Sequence, residues 1–249
     1  SNSYIEVLDE IVQELTNLGS IGQEESEQVS NKVALIVITS DRGLAGAYNS
    51  NILKLAEQKY QEVISSNKEV DLYAIGKKAS GYFTYRNINP ASSYEGITDE
   101  PKFENAFEVM SSVIESYNNG DLAEVYILYT KYVSALTQNA IVKQLLPLVK
   151  AEDNSNEQEI ENTGGYSFEP SAEEVLEELI PKYMNATLFG ALLNSSTSEH
   201  ASRMRAMKAA TENAEDLVKV LTRQSNQARQ AEITTEISEI VGGAEALAE

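Results

Sequence analysis

Four groups of residues in this chain have types and spacings that could carry chemistry. The first is Thr39-Ser-Asp-Arg-Gly-Leu-Ala-Gly46, a glycine-bearing turn between an apolar run and a helical pattern. A strand, such a turn and a helix can cradle phosphate, because the first N–H groups of a helix have no carbonyl partners. The turn has neither GxGxxG nor GxxxxGKS/T spacing and no lysine to neutralise a phosphate. Its glycines are therefore expected to serve a tight turn, with Asp41 or Arg42 in a structural hydrogen-bond network. The second is His200, the one histidine of the chain, which has no cysteine partner and lies on a helical pattern. It reads as a structural side chain. The third comprises the glutamate pairs 173/174 and 177/178, at helical spacing near a helix start, where they complement the dipole rather than form an acid–base pair. The fourth runs from Glu199 to Glu232, where Arg203, Arg205, Lys208, Lys219, Arg223 and Arg229 outnumber five acids. Such a segment is either a solvated helix face laced with ion pairs or a basic surface that meets an acidic partner. No Ser-His-Asp order, metal spacing or isolated carboxylate pair stands out, so no catalytic, cofactor or metal site is expected.

Composition narrows the classes further. The 249 residues are 42% hydrophobic, enough for a sizeable core. A formal charge of −20 repels phosphate backbones and anionic headgroups, which argues against nucleic acid and against direct membrane adsorption. No apolar run reaches the roughly 18 residues that span a bilayer, and no basic-then-apolar leader opens the sequence, so a soluble protein is expected. Absence of cysteine rules out disulfides and thiolate sites and fits a reducing cytoplasm. Residues 1–30 hold seven carboxylates and no base, and residues 151–179 hold ten and no base.

The elements that position these groups follow from periodicity. Tyr4, Leu8, Ile11, Leu15 and Leu18 have heptad spacing, and Gly19 and Gly22 end the pattern. The chain lacks an initiator methionine and opens in mid-pattern, so this helix reads as the last turns of a longer one. Val33–Ile38 is an unbroken apolar run, a strand covered on both faces. Helices are predicted at 48–64, 77–85 and 103–117, a second strand at 70–75, and a Pro/Ser/Gly loop at 89–101. Segments 125–133 and 139–146 have strand character and too short a link for a parallel crossover, so they form an antiparallel hairpin. The prediction is an α/β fold, a three-layer α/β/α domain with a mixed sheet. An acidic segment at 151–165 reads as an exposed loop. From Ser171 a helix with a kink at Pro181 is predicted to run to Val241, roughly 100 Å at 1.5 Å per residue. Its stripe of Leu188, Leu192, Ala201, Met204, Thr211, Ala214, Leu217, Leu221, Ala228 and Ile237 suits a partner helix, and that length points to a coiled-coil stalk formed with the N-terminal helix.

Three collinear motifs carry a resemblance. The segment after Ala228-Arg-Gln-Ala231 contains Ile233-Thr234, Glu236, Glu239 and Gly243-Ala244 at fixed offsets. The others are Ile38-Thr-Ser-Asp-Arg-Gly-Leu-Ala-Gly-Ala-Tyr-Asn49 and the stretch from Ser198-Glu-His-Ala-Ser-Arg-Met-Arg to Asn213. Together the chain resembles the gamma subunit family of F-type ATP synthases of bacterial type, lacking most of the family's N-terminal shaft helix. The resemblance implies three parts, namely a remnant of the N-terminal stalk helix at 1–20, an α/β globular foot at 21–170 and a long C-terminal stalk helix at 171–249. It implies a rotor shaft without a catalytic site, coupling proton-driven rotation of the membrane c ring to conformational cycling of the catalytic beta subunits and so to ATP synthesis. Implied partners are the alpha and beta subunits, the epsilon subunit and the c ring, on the cytoplasmic face of the bacterial membrane as a peripheral component. By resemblance Arg229, Gln230, Thr234, Glu236 and Glu239 lie in the alpha/beta contact region, and Tyr166, Phe168 and Glu169 in the foot loop that faces the c ring. Two rival readings are a nucleotide-binding doubly wound α/β enzyme and a generic coiled-coil scaffold.

Overall fold

The apolar run KVALIVI forms β1 (Lys32–Ile38), the central strand of a five-stranded sheet ordered β3-β2-β1-β4-β5. The computed structural model describes residues 7, 8, 10–12, 30–148 and 172–246. Strand β1 pairs in parallel with β2 (Glu69–Ile75) on one side and β4 (Glu124–Tyr132) on the other. Strand β3 (Ser92–Tyr94) continues the parallel part, and β5 (Gln138–Leu146) closes the antiparallel hairpin. The mixed sheet and the hairpin match the reading from sequence. Strand β3 lies inside the stretch expected to be a loop, because three residues, two of them serines, carry no apolar pattern.

Helices α1 (Tyr48–Ser65), α2 (Lys77–Tyr85) and α3 (Phe103–Asn118) follow β1, β2 and β3 in turn, and α4 (Ala172–Ala246) is one helix of 75 residues with Pro181 inside it. Side chains on a strand alternate between faces, so β1 feeds two clusters. Val33, Leu35 and Val37 pack with Ile52 and Ala56 of α1 and with Ala79 and Phe83 of α2. Ala34, Ile36 and Ile38 pack with Val109, Met110 and Val113 of α3 and with Met184, Leu188 and Leu192 of α4. Every residue from Val33 to Ile38 is fully buried, as a strand covered on both faces requires.

Residues 7, 8 and 10–12 are helical, and Leu8 and Val12 join the second cluster. This corrects the predicted seam. Leu8 and Val12 share a face as an i, i+4 pair, whereas Ile11, a quarter turn away, is 41% exposed. Tyr4, Leu15 and Leu18 lie outside the described residues, as do segment 151–165 and Tyr166, Phe168 and Glu169.

The chain divides into two units, Ser1–Arg203 and Met204–Glu249. The first holds the sheet, α1 to α3 and the proximal part of α4. In the second, every residue from 207 to 244 is exposed, including Leu217, Leu221 and Ile237 of the predicted stripe.

Two variants test this account of the sheet. Gly76 has φ +91°, and a Cβ there would stand 2.5 Å from the Thr39 carbonyl oxygen. Gly76→Ala should therefore destabilise the domain by roughly 1–3 kcal/mol from backbone strain alone, read as a lower urea midpoint. At the other end of the strands, Lys68 and the Tyr126 hydroxyl (2.7 Å) both bond the Glu124 carboxylate. Burial pushes the Glu124 carboxyl up, but these two donors outweigh it and hold it below the usual carboxylate range. A carboxyl with a depressed folded-state pKa contributes stability above its unfolded pKa of about 4.3 and loses it as pH falls through the folded value. Glu124→Gln should thus cost stability at pH 7, and the deficit against the parent chain should shrink in denaturation curves taken at about pH 3.

Candidate functional site

The glycine-bearing turn is a closed hydrogen-bond network. Thr39 donates its N–H to the Ile75 carbonyl at 2.8 Å, and its Oγ1 accepts the Ala79 N–H at 2.8 Å. Ser40 donates its N–H to Asn49 Oδ1 at 3.0 Å. Asp41 accepts the Lys77 N–H at 3.1 Å, the Gly96 N–H at 2.9 Å and the Thr98 hydroxyl at 2.9 Å. Its carboxylate therefore stands at the N-terminus of α2, the helix after β2, and complements that helix's dipole. Arg42 pairs with Asp99 at 3.0 Å, so both residues predicted to be structural are so placed. Two details differ from expectation. The left-handed conformations belong to Leu44 (φ 61°) and Gly46 (φ 55°), not to Gly43. A lysine does reach the turn, since Lys78 Nζ comes within 3.9 Å of where a Cβ on Gly43 would be; it arrives from α2, the helix after β2, and is invisible to a local motif.

The strand order reverses between β1 and β4, and in open α/β sheets that reversal opens a crevice at the carboxyl ends of the strands where ligands bind. Here α4 lies in it. Pairing of β1 with β4 ends at Leu128, leaving Thr130 without a partner on that side. The Thr130 N–H donates to Ser195 Oγ at 3.4 Å, and Ser198 Oγ donates to the Thr130 carbonyl at 3.2 Å. Tyr132 donates its N–H to Asn194 Oδ1 at 3.3 Å. Glu199, its side chain wholly buried, accepts from Arg203 Nη2 at 2.6 Å, and the same guanidinium nitrogen donates to the Gly43 carbonyl at 3.3 Å. Tyr48, the first residue of α1, is buried beside this group. Burial pushes both the Tyr48 phenol and the Glu199 carboxyl up from their ordinary values. Sequence reading did not identify this cluster, because its members are scattered from Gly43 to Arg203, 160 positions apart, and Glu199 looks like any other helix glutamate. His200, set beside it, approaches the Asp99 carbonyl at 3.5 Å, as a structural histidine would.

The residues singled out on the C-terminal helix are all exposed. At about 100° per residue, Arg229 and Glu236 fall on one flank of a stripe made by Ile233, Ile237 and Ile240, and Gln230 and Thr234 on the other. Thr234 donates its hydroxyl to the Gln230 carbonyl at 2.8 Å. Glu239 stands beyond the Glu236 flank. The result is an apolar ridge edged by hydrogen-bonding groups, the composition of a protein-binding surface rather than of a reaction centre. Among the described residues no cluster of His, Cys, Asp or Glu could hold a metal ion, and no helix is long and apolar enough to cross a membrane.

Comparison with known proteins bears on this arrangement. A family model described as ATP synthase matches residues 1–247. The ATP synthase gamma chain of Thermobifida fusca (strain YX) is 48% identical over 223 residues, covering 87% of this chain and 73% of that protein. The ATP synthase gamma chain of Frankia casuarinae is 45% identical over 225 residues, covering 87% and 74%. Among solved structures, a chain of the Euglena gracilis mitochondrial ATP synthase OSCP/F1/c-ring assembly superimposes with a TM-score of 0.65 at 18% identity, over 99% of this chain and 90% of that one. A chain of the Tetrahymena thermophila central stalk and c ring gives 0.59 at 23% identity, over 84% and 95%. At those identities the structures speak to the fold.

The filled crevice makes a direct prediction about the nucleotide-enzyme reading. Titration of the chain with ATP and Mg²⁺ in a calorimeter should show no saturable heat at micromolar concentration. A stoichiometric micromolar site would mean that α4 leaves the crevice.

Proposed function

The chain belongs to the ATP synthase family, as one of its gamma chains, and from that premise we propose how its parts divide the work of a rotor shaft. The subunit has no catalytic site of its own; it serves the complex as the central stalk. The observation that carries this reading is the second unit, in which α4 exposes every residue from 207 to 244, with the Ile233–Ile240 ridge and its polar flanks open to a partner. Among the described residues such a ridge has nothing to bury against. Within a ring of three alpha and three beta subunits it has six neighbours.

We assign Arg229, Gln230, Thr234, Glu236 and Glu239 to the alpha/beta contact, and Tyr166, Phe168 and Glu169 to the contact with the c ring. The epsilon subunit is the further partner at the foot. A partner shifts a conformational equilibrium only by interacting unequally with its states. A shaft without threefold symmetry touches three beta subunits differently, so its rotation passes each of them in turn through open, loose and tight conformations. Proton-driven turning of the c ring thereby drives ATP synthesis.

The working division is an N-terminal stalk segment at 1–20, a globular foot at 21–170 and a stalk helix at 171–249. A three-layer α/β/α foot is supported by the two clusters on opposite faces of β1, and pairing of the N- and C-terminal helices by the burial of Leu8 and Val12 in the cluster to which α4 contributes. The location that follows is the cytoplasmic face of a bacterial membrane, held there peripherally through the complex.

The test is the double substitution Arg229→Ala with Gln230→Ala in the complete subunit. Hydrogen bonds to charged groups are worth about 1.5–3 kcal/mol each when buried at an interface, so assembly with alpha and beta subunits or ATP-driven proton pumping should fall more than tenfold while the foot domain stays folded by circular dichroism. Unchanged assembly and turnover would contradict the assignment.

A further inference from the structure

The seat of α4 on the sheet combines two kinds of contact. Met184, Leu188 and Leu192 bury apolar surface, and that attraction is non-directional. A helix held only by apolar side chains can repack in a neighbouring orientation at small cost, provided volume is conserved. One turn further on the contacts change character. Ser195 and Ser198 take the N–H and carbonyl of Thr130, and Arg203 joins Glu199 to the Gly43 carbonyl. These bonds weaken steeply with distance and angle, so they tolerate one orientation of the helix.

The Glu199 site is poorly built for stability. Its second carboxylate oxygen is buried beside the Tyr48 phenol and has no hydrogen-bond partner among the described residues. A buried ion pair with unmet acceptors is typically no more stable than a well-packed apolar pair of the same volume. What such groups do provide, in the best-attested cases, is a single register.

We propose that the Glu199–Arg203 pair, acting with Ser195 and Ser198 on Thr130, is a register lock that fixes the rotational position of α4 about its own axis. These are positioning residues. Since α4 is one helix from Ala172 to Ala246, holding it here stops the shaft from turning against the foot under load. The mechanical part of this statement rests on the rotor reading; the structural part does not.

The chain has no cysteine, so a pair introduced at the exposed positions Lys54 on α1 and Thr197 on α4 can be spin-labelled cleanly. Pulsed electron–electron resonance on the otherwise unaltered chain should give one narrow distance. With Glu199→Met and Arg203→Leu together, the distribution should broaden or split while the melting temperature stays equal or rises. Glu199→Gln, which still accepts from Arg203, should keep the single distance. A narrow distribution in the apolar double variant overturns the proposal, and so does failure of that variant to fold, which would make the pair a stability device. In complete ATP synthase, the full-length double variant should hydrolyse ATP within twofold of the parent rate but pump at least twofold fewer protons per ATP. Unchanged pumping would overturn the mechanical role. Failure of the parent chain to assemble would instead remove the rotor reading and leave the spin-label result standing.

Discussion

Backbone hydrogen bonding at one point of the sheet governs the rest of this structure. Strand β4 runs past the end of β1, and beyond Leu128 its inward-facing N–H and carbonyl groups have no strand to pair with. Buried backbone groups left unpaired cost as much as a lost hydrogen bond, so something must cover them. In most doubly wound folds a ligand and ordered solvent occupy that crevice. Here the protein supplies its own occupant, and Ser195, Ser198 and Asn194 are spaced so that one face of α4 satisfies Thr130 and Tyr132. The consequence reaches function directly: a scaffold suited to nucleotide chemistry becomes a socket for a helix.

The glycine-bearing turn takes its meaning from the same event. It joins a strand to a helix, but its polar groups are engaged within the protein: Asp41 caps the neighbouring helix α2, and Arg203 reaches the Gly43 carbonyl from α4. The motif resembling the gamma family's strand-and-turn segment and the one resembling its early shaft segment therefore meet in space. Residues 38–49 form one wall of the socket, and residues 198–203 form part of the plug.

Local signals predict what local physics decides. The unbroken run of β1, the short link of the hairpin and the apolar periodicity of α1 to α3 each depend on neighbours within a few residues, and each is visible in the chain. Strand β3 is not, because Ser92–Tyr94 pairs only through its backbone to Tyr73–Ile75 and carries no side-chain pattern. Heptad counting puts Ile11 in the seam, yet Val12 is buried with Leu8, since the face that joins the core follows this i, i+4 pair. Glu199 and Lys78 were illegible for one shared reason. Arg203, the partner of Glu199, reaches Gly43 across 160 positions, and Lys78 approaches the same glycine from α2, a nearness that only the fold creates. The residues proposed as contacts on the C-terminal helix come from the resemblance; geometry adds that most of them flank an apolar ridge.

That ridge makes the shaft part of a larger assembly and not a self-sufficient domain. Helix formation adds about one hydrogen bond per residue fixed, and most helical stability in proteins comes from burying an amphipathic face. From residue 207 to 244 no face is buried in this chain, yet Leu217, Val218, Leu221, Ile233 and Ile237 remain on the surface. An exposed stripe of that length marks a binding surface or a liability to aggregate. The proximal part of the same helix is bonded atom by atom to the sheet, through directional contacts that resist rotation. Directional bonds hold residues 194–203 on the sheet, whereas residues 207–244 keep their apolar stripe exposed, so the first unit is complete within this chain and the second is a surface for other chains.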